Sequence, residues 1–427
     1  MLRAAWVGSA VALASACLGQ LAQPPAGDPL QNADKRIDRY RKGDVTLQVL
    51  DSFGKPVRNA EVKVRQTRHA FLFGCNIFPL FSYPAEQEKL YEQRFSGLLN
   101  YATLPFYWGS YEREQGQTDA ARIRRMAEWC RDHDIATKGH PLVWHEVWPS
   151  WAPRTAAEAR LLLEQRVRKI VRDFAGLIDR WDVVNEATVS ARTNTGVGEW
   201  AKSEGASAMV ATALRWARDA NPKAVLLYND FNVGPACEKI VEELQKAKAP
   251  LDAIGIQSHM HTGEWPLSRV WQVCETYSRF NLPLHFTELT VLSGAHKTDS
   301  DWNAYRTDWL TTPEGEKRQA EYVVRLYTLL FSHPSVEAIT WWDLMDGGWQ
   351  GAPAGLVRKD LSPKPAYDAL RKLIREKWWT ALTIRTDTQG RVRFRGFGGE
   401  YVVEHNGRTA AFTVKPRVDN RPVVRLK

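Results

Sequence analysis

Two carboxylates stand at the ends of short apolar runs, where their chemistry is more notable than their packing. The run RWDVVNEA (180–187) closes on Asn185 and Glu186, and LPLHFTEL (282–289) brings Glu288 to its end. Burying an amide or a carboxylate without a partner is costly, so these groups must lie at an exposed strand end or be placed there to work. Two facing carboxylates can cleave a glycosidic bond, one protonating the leaving oxygen while the other attacks the anomeric carbon or activates water.

Other polar and aromatic side chains end neighbouring apolar runs in the same manner. They are His140, Trp144, His145, Tyr228, Asn229, Asp230, Gln257, His259, His261, Trp341, Trp342 and Asp343. One polar strand end is usually the start of a loop, but these four runs and the two that end near Glu186 and Glu288 make six such ends, which indicates a shared site. Histidines and amides can bind sugar hydroxyls, and indole faces can stack on sugar rings.

Eight apolar runs alternate with amphipathic segments, and this order predicts the elements that position the site. The predicted strands are 70–78, 98–108, 136–144, 180–187, 224–231, 252–259, 282–289 and 336–344. Segments 158–177, 314–333 and 364–379 show helical periodicity between or after them. The pattern predicts a (β/α)8 barrel, whose working residues lie at the carboxyl ends of the strands. A doubly wound sheet is the rival, but no GxGxxG follows a strand.

The flanking segments predict smaller units around the barrel of residues 70–377. We interpret 1–16 as a signal peptide, 17–42 as a linker, 43–69 as an N-terminal β-annex containing a hairpin, and 378–427 as a C-terminal β-module. Cleavage after Ala16 would leave Cys17 first, so the expected location is secreted or periplasmic, with a lipoprotein anchor as the alternative. The β-module could bind carbohydrate or cover the barrel, and we favour the structural role.

Composition favours a soluble enzyme or binding protein over a nucleic-acid or membrane protein. The chain has 427 residues, a formal net charge of +9 and 18 Trp. Basic residues are spread along the sequence, which predicts a solvated surface and no nucleic-acid partner. The N-terminal apolar run is too short to predict a membrane span. Cys75, Cys130, Cys237 and Cys274 have no zinc spacing, and four buried free thiols are expected.

Six ordered segments resemble glycoside hydrolase family 10, the endo-β-1,4-xylanase family, across about residues 70–377. They are KGHPLVWHEVWPSW (138–151), WDVVNEA (181–187), LLYNDFN (226–232), IGIQSHMH (254–261), FTEL (286–289) and SPKPAYDAL (362–370). The resemblance implies a retaining glycoside hydrolase that acts on β-1,4-xylan or a related plant polysaccharide through a covalent glycosyl-enzyme. It implies no metal and no cofactor, and we expect a monomer.

The resemblance also implies roles for individual residues. Glu186 would be the general acid and then the general base, and Glu288 the nucleophile, with carboxyl groups about 5–5.5 Å apart. The implied substrate-binding residues are His140, Trp144, Asn185, Gln257, His259, Trp341 and Trp349. Of the adjacent Trp341 and Trp342 only one can face the cleft, and alignment to the family selects Trp341. His261, Trp148 and Trp151 are interpreted as structural, while Asp230 either tunes Glu186 or caps a loop.

Two departures from the family pattern keep other functions open. TLPFYW (103–108) stands where the family carries a segment close to ENEMKW, so Thr103, Leu104 and Tyr107 replace three sugar-binding polar residues. Thr290 replaces an aspartate two residues after the nucleophile. The alternatives are therefore a family-10-like glycosidase of altered specificity and, less favoured, a non-catalytic carbohydrate-binding barrel.

Overall fold

The computed structural model describes residues 27–298 and 304–427. The predicted signal peptide and Cys17 lie outside these residues. Within the described part of the chain, no helix combines the length and the apolar character needed to cross a bilayer.

Eight parallel strands close into a barrel, which confirms the predicted fold. The order around the barrel is that of the chain, and the last strand pairs with the first. The strands are β3 (Leu72–Asn76), β4 (Tyr101–Pro105), β5 (Ala136–His140), β6 (Arg180–Asn185), β7 (Val225–Asp230), β8 (Ala253–Ile256), β9 (Leu284–Leu289) and β10 (Val336–Trp341). Each lies within one of the eight apolar runs.

Helices lie around the barrel; the first precedes all the strands, and the others follow barrel strands. They are α1 (Ala33–Arg41), α2 (Ala85–Leu98), α3 (Trp108–Tyr111), α4 (Ala120–Asp132), α5 (Ala156–Asp173), α6 (Ala187–Ser190), α7 (Gly196–Glu204), α8 (Ala206–Ala220), α9 (Pro235–Lys246), α10 (Leu267–Ser278), α11 (Pro313–Ser332) and α12 (Pro365–Lys372). Helix α11 shows how a start is encoded: the Thr312 hydroxyl accepts from the Gly315 N–H, and Pro313 occupies the first turn. A π-helical turn, Leu373–Lys377, continues α12.

The N-terminal and C-terminal strands form one β-domain rather than two separate units. Its strands are β1 (Lys42–Leu50), β2 (Glu61–His69), β11 (Ala381–Arg385), β12 (Arg391–Phe397), β13 (Gly399–His405), β14 (Arg408–Val414), β15 (Asp419–Asn420) and β16 (Val423–Arg425). The first sheet has the order β12-β1-β15, with β16 also paired to β1, and the second has the order β11-β2-β13-β14. Their inner faces pack through a hydrophobic cluster separate from the barrel core, including Val45, Val62 and Tyr401.

Two expectations for the N-terminal region are corrected. β1 and β2 lie in different sheets, so the predicted hairpin is wrong: alternation identified both strands, but C-terminal strands supply their partners. The expected linker also contains α1. Arg41, the last residue of α1, donates hydrogen bonds to the carbonyls of Phe331 and Val336 and so connects the helix to the barrel.

The β-domain covers the amino ends of the barrel strands. Leu72, Arg180 and His285, near the starts of three barrel strands, share a cavity of about 260 Å³ with Gly398 and Pro416 of the β-domain. The carboxyl ends of the strands therefore lie at the other, open mouth. The four cysteines within the described residues, Cys75, Cys130, Cys237 and Cys274, are buried free thiols, as expected.

Candidate active site

Polar residues from successive strands meet at the carboxyl mouth of the barrel, as the sequence predicted. β5 ends with His140, β6 with Asn185, and β9 carries Glu288 one residue from its end. Glu186 and Gln257 directly follow β6 and β8. All of these side chains except that of Glu186, which remains slightly more accessible, are buried.

Glu186 lies in a left-handed backbone conformation with φ of 56°, immediately before α6. Its amide donates to the Asn229 carbonyl at 2.9 Å, which fixes this turn to β7. Its Oε1 accepts from Gln257 Nε2 at 2.8 Å, and its Oε2 accepts from Trp144 Nε1 at 3.0 Å. Burial, together with the charge of Glu288, outweighs these donors and raises the pKa of Glu186 to about 8. The group is therefore largely protonated at neutral pH.

Glu288 is buried more deeply, yet it is held as a carboxylate. Burial alone would raise its pKa, but His140, His259 and Lys138 outweigh this effect and lower the pKa below its usual range. His259 Nε2 lies 3.1 Å from Oε2, and His140 Nε2 lies 3.8 Å from Oε1. Asn229 Nδ2 donates to Oε1 at 2.8 Å. The two carboxyl groups thus have pKa values shifted in opposite directions.

Three amide side chains connect the two carboxyl groups. Asn229 Nδ2 donates both to Glu288 Oε1 and to Asn185 Oδ1, each at 2.8 Å. Asn185 Nδ2 in turn donates to Glu186 Oε1 at 3.2 Å, and Gln257 Nε2 contacts Asn185 Oδ1 and Glu186 Oε1. Asn229 was one of the polar strand ends that the sequence indicated, but no catalytic or binding role was assigned to it. Because its amide is buried between the two carboxyl groups, it orients both halves of the site.

An ion pair inside the barrel supports His140. Asp182 Oδ2 contacts His140 Nδ1 at 2.8 Å and Lys138 Nζ at 2.6 Å, and all three side chains are buried. Burial would raise the pKa of Asp182, but Lys138 and His140 keep it below its ordinary value. The Asp182 carboxylate thereby orients the His140 ring, whose Nε2 faces Glu288. Sequence patterns did not identify Asp182 or Lys138, because both lie within an apolar strand run rather than at its end.

His259 is held by the hydroxyl that replaces the expected aspartate. Thr290 Oγ1 lies 2.7 Å from His259 Nδ1, and the imidazole stacks on Trp349 with ring centroids 4.7 Å apart. The hydroxyl orients the ring as an aspartate would, but it adds no charge beside Glu288.

Aromatic rings form the walls of the mouth, and one expected residue is corrected. Trp342, not Trp341, faces the cleft: its ring lies 5.5 Å from that of His140. Trp341 is fully buried in the barrel core, where its indole N–H donates to the Ala354 carbonyl at 2.8 Å. Adjacent strand residues point to opposite sides of the sheet, so only one of Trp341 and Trp342 can face the cleft. Alignment to the family selected Trp341, which was wrong. Tyr107 contacts both His140 and Trp144, with ring centroids 5.4 Å apart in each case.

A cavity of about 560 Å³ adjoins these rings on the side of Tyr107, Trp342 and Trp349. Asn76, Phe78 and Asp343 also border it. Burial raises the pKa of Asp343 to about 6. Asn76 Nδ2 donates a hydrogen bond to Asp343 Oδ1, which has the smaller, opposite effect of lowering that pKa. Asp343 directly follows β10 and is one of the polar strand ends that the sequence indicated, although no role was assigned to it.

The three substituted residues of the strand-2 segment occupy different environments. Leu104 packs in the barrel core, and Thr103 is also fully buried. Only Tyr107 reaches the cavity. This side of the cleft therefore presents Tyr107, Asn76 and Asp343 to a ligand.

The remaining expected residues lie around the site rather than at its centre. Asp230 accepts hydrogen bonds from Thr188, Tyr228 and the Asn232 amide, so it caps a loop, and its charge also raises the pKa of Glu186. Trp148 and Trp151 pack on the ring of Trp108, as expected of structural residues, and His261 packs beside Trp349.

Comparison with known proteins agrees with this architecture. The family model of glycosyl hydrolase family 10 matches residues 71–373. The anti-sigma-I factor RsgI6 of Acetivibrio thermocellus is 28% identical over 87% of this chain, which spans 46% of that protein. Endo-1,4-beta-xylanase B of Thermotoga neapolitana is 27% identical over 63% of this chain and 78% of its own length. The structure of a family 10 protein from Paenibacillus barcinonensis superposes with a TM-score of 0.62 at 22% identity, covering 72% of this chain and 96% of that one.

Proposed function

The chain belongs to glycosyl hydrolase family 10, and we propose that it cleaves β-1,4-xylan or a related plant polysaccharide with retention of anomeric configuration. The opposite pKa shifts of the two carboxyl groups carry this proposal. Glu186 keeps its proton near neutral pH while Glu288 does not, as an acid and a nucleophile require. The Thermotoga xylanase supports xylan as the substrate class.

The first chemical step would begin with both groups acting on one glycosidic bond. Glu288 attacks the anomeric carbon as Glu186 transfers its proton to the leaving oxygen, and the glycosidic bond breaks. The sugar is then joined covalently to Glu288. Loss of that negative charge removes one cause of the raised pKa of Glu186, which can then act as a base.

The second step would return both groups to their starting states. Glu186 takes a proton from water as the water oxygen attacks the anomeric carbon, and the ester bond to Glu288 breaks. Two displacements on opposite faces give net retention. Asn185 would bind the sugar's 2-hydroxyl, while His140 and His259 hold Glu288 in place.

A second candidate, a related glycosidase of altered specificity, is favoured by the cavity beside Tyr107. A sugar there would meet a phenol, the Asn76 amide and the Asp343 carboxyl in place of the family's strand-2 polar residues. A site built from different hydrogen-bonding groups can change substrate preference strongly. We expect its preference to differ from that of a xylanase carrying the usual segment.

Product analysis on a substrate panel tests both candidates. Purified protein is incubated with xylans, glucans and mannans, and ¹H NMR follows the anomer formed first. Xylan cleavage with the β-anomer first supports the main proposal, and preference for another polymer supports the second candidate. Binding of a polysaccharide without hydrolysis would instead indicate a non-catalytic carbohydrate-binding barrel.

Variants at the two carboxylates test the residue roles. Glu186→Ala should lose polysaccharide hydrolysis but keep cleavage of aryl glycosides with good leaving groups, with azide yielding a retained product. Glu288→Ala should lose both activities, and azide should give no retained product. Glu321→Ala, at an exposed carboxylate of α11, is the matched control. Wild-type rates for Glu288→Ala would exclude its role as nucleophile.

We also propose export of the chain, on the basis of its charged start, apolar run and Ala14-Ser15-Ala16 segment. Detection of the protein in the culture medium or periplasm, without residues 1–16, would support export. Full-length protein retained in the cytoplasm would contradict it.

A further inference from the structure

The β-domain carries the chain's entire formal excess of positive charge. Residues 42–69 and 381–427 contain 16 Lys and Arg against seven Asp and Glu, a net +9, which equals the value for the whole chain. The other 352 residues therefore balance to zero. This corrects the expectation of evenly spread basic residues, because two segments far apart in sequence fold into one basic domain.

Four of these 16 basic residues lie on the outer face of the first sheet, namely Arg391, Arg393, Arg395 and Arg425. Arg391 and Arg393 alternate with buried Val392 on β12, so both side chains point to solvent. On β12, Arg391 pairs with Gln48 of β1, and on the other side of β1 the same Gln48 pairs with Val423 of β16. Arg425, two residues further along β16, projects from the same face because side chains alternate along a strand.

The arginines on this face differ in how they are paired. Arg395 forms ion pairs with Asp38 and Asp44. Within residues 27–298 and 304–427, the side chains of Arg391, Arg393 and Arg425 form no hydrogen bond and no close ion pair, although the Asp387 carboxylate interacts electrostatically with Arg391 and Arg393. Their guanidinium groups are therefore available to carboxylates of a ligand.

An aromatic ring is displayed at the end of the same sheet. Phe53 is 84% exposed, at the tip of the turn that follows β1. The turn is well ordered, since Asp51 Oδ1 accepts from the amides of Phe53 and Lys55, both at 2.9 Å. A Cβ built on the adjacent Gly54 would lie 3.0 Å from the Arg425 guanidinium, which places the turn beside that arginine.

We propose that this face, comprising Arg391, Arg393, Arg425 and Phe53, binds an acidic polysaccharide whose uronate carboxylates pair with the arginines. The ring of Phe53 stacks on the face of a sugar, as exposed aromatic side chains do in glycan-binding sites. An extended polysaccharide can lie along the exposed face of the sheet, whereas a membrane would require more exposed apolar surface than Phe53 and Val423 supply. Duplex DNA would also pair with the arginines, but its bases are stacked on one another and would leave no base face for the Phe53 ring to stack on.

The position of this surface separates anchoring from catalysis. The β-domain lies at the amino ends of the barrel strands, so a polysaccharide bound there leaves the catalytic mouth open. The acidic polymer is therefore an attachment site rather than the chain being cleaved, and its binding does not depend on turnover.

Affinity electrophoresis and calorimetry with the full chain test the proposal. The probes are polygalacturonate, neutral dextran, duplex DNA and poly-dT, each at 50 and 200 mM salt and pH 7. The wild type should bind polygalacturonate and not dextran, more weakly at the higher salt. Arg391→Gln/Arg393→Gln/Arg425→Gln should lose at least tenfold in affinity for polygalacturonate. Phe53→Ala should lose a few-fold for polygalacturonate and nothing for duplex DNA.

A matched variant controls for net charge. Lys169→Gln/Lys239→Gln/Lys317→Gln removes the same three charges from exposed positions on the barrel and should change the affinity less than twofold. The unfolding temperature, not activity, is the folding control, so failure of the proposed hydrolase function leaves this test intact. Equal losses in the two triple variants, or either DNA bound more tightly than polygalacturonate, would overturn the proposal.

Discussion

Replacing Glu288 with Gln should lower the pKa of Glu186, because the charge of Glu288 is one cause of its elevation. The side-chain amides of Asn229 and Asn185 connect the two carboxyl groups through hydrogen bonds. For the separation of about 5.5 Å that a retaining mechanism requires, an effective dielectric of about 20 gives an interaction of about 3 kcal/mol. That energy corresponds to about two pKa units. Glu186 should therefore titrate near 6 in the variant, against about 8 in the wild type.

Carboxyl ¹³C NMR of glutamate-labelled protein measures this shift directly. Subtracting the spectra of Glu288→Gln/Glu186→Gln from those of Glu288→Gln isolates the Glu186 signal in the variant. Subtracting the spectra of Glu186→Gln from those of the wild type gives the reference signal. The alkaline limb of the wild-type profile of kcat/KM should fall near the same pKa of about 8. An unchanged or higher pKa in the Glu288→Gln variant would refute the electrostatic coupling of the two groups. A wild-type value near 4.5 would remove the basis for assigning Glu186 as the acid.

Three further predictions concern stability and support of the site. Glu186→Gln should raise the unfolding temperature more at pH 9 than at pH 5. In the wild type the folded-state pKa of Glu186, about 8, exceeds the ordinary value of 4.5. The wild type therefore loses up to about 5 kcal/mol of unfolding free energy as the pH rises through this range, and the variant does not. Calorimetry at the two pH values checks this, and equal gains would contradict it. Trp341→Ala should cost about 3–5 kcal/mol of unfolding free energy, as for large core residues, whereas Trp342→Ala should mainly raise KM. Denaturant titrations and kinetics compare the two, and comparable destabilisation would reverse the corrected assignment. Thr290→Val removes the hydroxyl partner of His259, so the pKa of Glu288 should rise and kcat should fall about tenfold. The acid limb of the pH–rate profile should move upward, and an unmoved limb would show that the hydroxyl does not orient the imidazole.

Strand periodicity and polar strand ends were enough to predict the barrel and most of the residues at its mouth. Buried parallel strands read as apolar runs, and a glutamate or histidine at the end of such a run is easily noticed. Lys138 and Asp182 were missed because their polarity is compensated within the barrel by an ion pair, which no local pattern reveals.

Features that depend on distant pairing were not predictable in the same manner. Alternation identified β1 and β2 but not their partners, since β1 pairs with β12 across about 350 residues of sequence. The concentration of charge was hidden for the same reason. The choice between Trp341 and Trp342 depended on a one-residue register that alignment did not fix.

The division of the β-domain between the two ends of the sequence has a consequence for synthesis. β1 and β2 leave the ribosome before any barrel strand, yet every strand that pairs with them follows the barrel. Until the strands that follow the barrel have been synthesised, both β1 and β2 expose unpaired backbone edges, which can join the edges of other nascent chains. The barrel is thus a large insertion in a small sandwich, and these edges become protected only when the sandwich assembles around β1 and β2.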